Sequence, residues 1–79
     1  MADDPKPVYG VVLLHRTSAA LRSEMVLLAA GLTVRLIPVP REVSSNCGIS
    51  VRFLWTDRAI VDATLSDAGI DVDAIHRLP

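Results

Sequence analysis

Val8-Tyr9-Gly10-Val11-Val12-Leu13-Leu14 is a β-branched, apolar run with almost no polar alternation, the pattern of a strand central in a sheet or covered on both faces. The period then changes. Thr17 or Ser18 can cap a helix in which Leu21, Met25, Leu28 and Leu32 recur at helical spacing, with Arg22 and Ser23 facing out and Gly31 as a left-handed stop. Val34 and Leu36, alternating with Thr33 and Arg35, predict a half-buried strand. Pro38 and Pro40 allow that strand only an edge position or an early end.

Residues 40–48, Pro-Arg-Glu-Val-Ser-Ser-Asn-Cys-Gly, have loop composition and no sustained period. Ile49, Val51 and Phe53 alternate with Ser50 and Arg52 as a third strand. Thr56 or Asp57 can cap a second helix through Ile60, Val61, Leu65 and Ala68, which Gly69 closes, and Ile70, Val72, Ala74 and Ile75 predict a fourth strand. The order βαββαβ is that of a ferredoxin-like two-layer α+β sandwich: a four-stranded antiparallel sheet with two helices on one face. Residues 1–7 read as a disordered lead and 8–79 as a single domain.

Composition excludes several classes. A chain of 79 residues with one cysteine has room for one domain and no internal disulfide or multi-cysteine zinc site, as expected in a reducing, cytoplasmic setting. The longest apolar stretch, residues 25–32, includes Gly31 and falls far short of the roughly 20 residues of a spanning helix, so no membrane role is expected. The lead is acidic and proline-rich, unlike a signal peptide. A hydrophobic fraction of 51% is high for a domain that buries only about 60% of its unfolded surface. The expected consequence is a homo-oligomer or a partner surface.

Net charge is −1, which argues against nucleic acid as a partner, but the charge is unevenly placed. Arg16, Arg22, Arg35, Arg41, Arg52 and Arg58 outnumber Glu24, Glu42 and Asp57, whereas Asp62, Asp67, Asp71 and Asp73 outnumber Arg77. Right-handed crossovers are expected to gather the end of the first strand, the start of the first helix and the 40–48 loop at one pole. The expectation adds His76 and Arg77 from the end of the fourth strand to His15, Arg16, Thr17, Ser18 and Arg41 at this pole, and assigns Asp57 and Asp71 to the other.

Cys47 stands in this loop behind Ser44, Ser45 and Asn46 and before Gly48. Thiolates are favoured by cations, backbone N–H donors and helix N-termini, and this pole is expected to offer all three. Packing as a small hydrophobe is the other reading of a single cysteine, and both stay open here. A Cys47–histidine pair with His15 or His76, or a metal held by those three, lacks an orienting group and ligand spacing, so neither a metal nor a cofactor is expected. Phe53 and Trp55 share a strand parity, as RNA-stacking residues do, but core or interface packing is the simpler expectation.

Arg35-Leu-Ile-Pro-Val-Pro-Arg-Glu-Val-Ser-Ser-Asn-Cys-Gly48, together with Thr17-Ser-Ala-Ala-Leu-Arg-Ser-Glu24, resembles the selenium/sulfur (Se/S) carrier protein-like family over roughly residues 8–78. The family also occurs fused behind TusA-like sulfur-carrier domains; Asn46 stands where it usually has serine, and the Cys-Pro-x-Pro motif of TusA-like carriers is absent. The resemblance implies a carrier sooner than a turnover enzyme and leaves enzymatic activity open. Cys47 would accept sulfur or selenium as a persulfide or perselenide from a donor protein and pass it to an acceptor protein. Gly48 with Ser44, Ser45 and Asn46 would form the anion cradle, and Arg41, Thr17 and Ser18 would stabilise the thiolate. The alternative is a non-catalytic regulatory or assembly module acting through self-association or partner binding.

Overall fold

A computed structural model describes residues 7–43 and 48–79. The elements are β1 (Tyr9–Leu14), α1 (Thr17–Ala29), β2 (Val34–Pro38), β3 (Ile49–Leu54), a 3-10 turn (Trp55–Asp57), α2 (Arg58–Asp67) and β4 (Val72–Arg77). The strands form one antiparallel sheet in the order β2-β3-β1-β4. This is the ferredoxin-like α+β sandwich. The apolar run at 8–14 supplies a central strand, and the proline-limited strand lies at an edge, as their compositions require.

One face of the sheet carries the core. Val12, Leu14, Val51 and Phe53 pack there against Ala20 and Leu27 of α1 and Val61 and Leu65 of α2, with Ile70 beneath the turn into β4. Both helices end in the same way. Leu32 N–H donates to Leu27 O and Gly31 N–H to Leu28 O, while Ile70 and Gly69 repeat the pattern on Leu65 and Ser66. In each case the glycine adopts a positive φ, +84° and +72°, the left-handed conformation that closes such a cap.

The buried face of α1 differs from the expectation. Ala20, Ser23 and Leu27 face the sheet, whereas Leu21, Met25 and Leu28 are 47%, 69% and 51% exposed. Ser23 tolerates burial because its hydroxyl donates to Ala19 O at 2.7 Å within its own helix. Small inward residues let the helix lie close to the sheet, and the larger apolar stripe is turned outward. Leu27→Ala is therefore expected to cost about 2–5 kcal/mol, and Met25→Ala less than about 0.5 kcal/mol, in urea unfolding. Equal losses would contradict this helix orientation.

The N-cap of α1 is Arg16, not Thr17 or Ser18, its carbonyl receiving Ala19 and Ala20 N–H, whereas α2 starts at the expected Asp57; neither residue makes a side-chain cap bond. Among the described residues no helix is long and apolar enough to cross a membrane.

Candidate functional site

β1 and β2 both end, and β3 begins, at one end of the sheet. Val39 N–H donates to Gly48 O at 3.2 Å, closing the mouth of the connection between β2 and β3, and Val43 N–H donates to Pro40 O within it. Gly48 is exposed at φ +74°, a conformation that side chains other than glycine rarely adopt. A shallow hollow of about 250 Å³ beside it is lined by Leu36, Ile37, Pro38, Gly48 and Ile49. Arg41 is exposed in the same connection, and Thr17 and Ser18 are exposed where α1 begins. Ser44, Ser45, Asn46 and Cys47 lie outside the described residues.

The charge of this pole departs from the expectation. β4 runs antiparallel to β1, pairing Leu14 with Val72 and Gly10 with Arg77. Its start, not its end, therefore lies at the β1 terminus. A crossover that keeps β4 parallel to β3 must run it opposite to β1, so His76 and Arg77 fall at the far pole. Asp71 belongs to the near pole instead, where its carboxylate sits 3.7 Å from His15 Nε2. His76, paired with Val11, lies level with the residue four before His15, about 13 Å along the strand. No base or metal site can combine it with His15, and among the described residues no three His, Cys, Asp or Glu side chains could hold a metal ion.

The helix ends also offset each other. α1 begins and α2 ends at this pole, so the positive end of one helix dipole lies beside the negative end of the other. Arg22 crosses between them, donating to Ala68 O at 3.1 Å, where a cation satisfies the carbonyls of a helix C-terminus. An open depression of about 500 Å³ lies here, lined by His15, Arg16, Ser18, Arg22, Ile70 and Asp71. The pole is of mixed charge.

Phe53 is buried on the helix-covered face, and half-buried Trp55 packs on the same core with ring centroids 6.0 Å apart. Neither ring lies on the sheet face opposite the helices, where Val11 and Leu13 are themselves buried, which removes the RNA-stacking reading. The aromatic residue of the face opposite the helices is half-buried Tyr9, with the Arg52 guanidinium 4.2 Å from its ring centroid. A cation–π contact of this kind depends on cross-strand register, which residue type alone does not reveal.

The family model described as Putative Se/S carrier protein-like matches residues 9–77. The chain belongs to this Se/S carrier protein-like family. The match runs from the first residue of β1 to the last of β4 and so takes in both the fold and the connection that contains Cys47. No curated protein and no solved structure is similar enough to the chain to match it.

Proposed function

We propose that the protein is a sulfur or selenium carrier whose acceptor atom is the sulfur of Cys47. The observation that carries this reading is the family match over residues 9–77 in a chain with one cysteine. A carrier that holds its cargo on a thiol has no other thiol in this chain to use. Loading is an exchange. The Cys47 thiolate attacks the terminal sulfur of a donor persulfide, a Cys47–sulfur bond forms, the donor S–S bond breaks, and the donor leaves as its thiolate. The proton stays on the transferred sulfur and no external oxidant is consumed; with selenium the same exchange yields a perselenide. An acceptor thiolate then attacks that terminal atom and releases Cys47.

Several local features support the reading. Gly48, the residue after Cys47, precedes β3 in a left-handed conformation at an exposed position, leaving its backbone accessible to an anionic sulfur. Arg41 supplies a cation in the same connection. Thr17 and Ser18 begin a helix at the same pole and add backbone N–H donors to the thiolate's surroundings. The mixed charge of the pole gives these local groups more weight than any general positive field. The donor and acceptor are proteins, and self-association accompanies rather than replaces docking.

The thiol's acidity tests the cradle. The rate of Cys47 alkylation, followed against pH on the folded chain, should reach half its maximum below the ordinary cysteine value of about 8.5. A midpoint at or above that value, with slow reaction throughout, would favour the non-catalytic assembly module instead.

A further inference from the structure

We propose that the protein forms a two-fold symmetric dimer by pairing β4 with β4 of a second copy, extending the sheet to eight strands. The sheet has two edges, and the hydrogen bonds show how each is managed. On β2, the bond from Val39 N–H to Gly48 O turns the alternate groups of Arg35 and Ile37 toward β3. The groups of Val34, Leu36 and Pro38 therefore face outward. Leu36 N–H donates to Glu24 Oε2 at 3.4 Å, and Pro38 has no N–H, so this edge is closed by a helix side chain and an imino acid.

β4 has no such cover along residues 74–77, and its one irregularity is the register shift that leaves Asp73 between the Leu13–Ala74 and Leu14–Val72 pairs. Leu78 N–H donates to Tyr9 O at 2.8 Å, and Trp55 N–H donates to Val8 O at 2.9 Å on the other side of the β1 strand line. These bonds turn the groups of Ala74 and His76 toward β1 and those of Ile75 and Arg77 outward. Among the described residues no strand lies beyond this edge.

The side chains select a second copy as the occupant. Antiparallel pairing centred on Ile75 places it opposite the partner's Ile75 and sets Asp73 opposite the partner's Arg77. Two-fold symmetry repeats the Asp73–Arg77 juxtaposition on the other side of the axis. Both residues are exposed. Registers centred on Asp73 or on Arg77 would instead oppose like charges, which disfavours them. Ile75 borders a hollow of about 600 Å³ walled by Arg58, Ala59, Asp62, Ala63 and Ser66 of α2, where the three small residues leave room for the partner to approach between one positive and one negative side chain. The resulting order, β2-β3-β1-β4 continued by its mirror sequence, keeps both Gly48 positions at the outer rims, clear of the interface.

Sedimentation equilibrium on the whole chain tests the pairing independently of chalcogen loading. The wild-type chain should show a concentration-dependent dimer that weakens with added salt. Arg77→Asp and Asp73→Arg should each raise the dimer Kd about tenfold or more by replacing two attractive pairs with repulsive ones. The double exchange should restore it, and far-UV circular dichroism of all variants should be unchanged. A wild-type chain that stays monomeric would overturn the proposal. So would a dimer that both single variants leave intact, particularly one abolished by Met25→Glu, which would place the contact on α1.

Discussion

Gly10→Ala should lower the stability of the protein by about 1–3 kcal/mol, the range for overpacking a well-filled core. Backbone propensity argues the reverse, since alanine in a strand is favoured over glycine by roughly 0.5–1 kcal/mol. Packing decides the sign. A Cβ on Gly10 would lie 2.6 Å from Trp55 Cε3, 2.7 Å from Phe53 Cζ and 3.0 Å from the His76 carbonyl oxygen. Phe53 is buried in the main core, and the carbonyl belongs to the neighbouring strand, so relief requires moving ring and backbone together. In urea titration the midpoint should fall with an unchanged slope. The thermal midpoint should drop about 4–8 °C for each kcal/mol lost. Gly10→Val adds two methyl groups in the same crowded place and should be worse. Full stability in Gly10→Ala would mean that the two rings do not pack across β1 as described.

Much of this fold is legible because certain residues permit few alternatives. The apolar run at 8–14 is explained by a central strand, the stops at Gly31 and Gly69 become left-handed caps, and Pro38 falls in an edge strand. The face of α1 is harder to read. Leu21, Met25 and Leu28 have the period of a core stripe, and only close approach to the sheet selects the smaller Ala20 and Ser23 for the inside. Periodicity reports which residues share a face, not which face is covered.

The site shows the same division. Loop composition identifies the segment between β2 and β3, and topology sets Gly48, Arg41, Thr17 and Ser18 at one pole. The placement of Asp71 beside His15, and of His76 and Arg77 far from them, depends on the direction of β4 relative to β1. An error in one strand direction exchanges charges between poles. Glu24 is another case: its contact with Leu36 N–H joins residues twelve apart in sequence, and no local pattern signals that it closes the β2 edge.

Cys47→Ser should abolish chalcogen loading altogether. The loss is complete because a serine hydroxyl cannot form the sulfur–sulfur or sulfur–selenium bond that holds the cargo, and the chain has no second cysteine. The substitution keeps a small polar side chain at the position, so folding should be retained and can be verified by the same urea titration. Intact-mass measurement after incubation with a persulfide-charged cysteine desulfurase, or with a perselenide donor, is the most direct test of the carrier assignment. The account predicts that the wild-type chain gains one sulfur or selenium atom, that a thiol reductant removes it, and that Cys47→Ser gains none. A folded wild-type chain that takes up nothing from either donor, or a Cys47→Ser chain that gains the same mass, would contradict it.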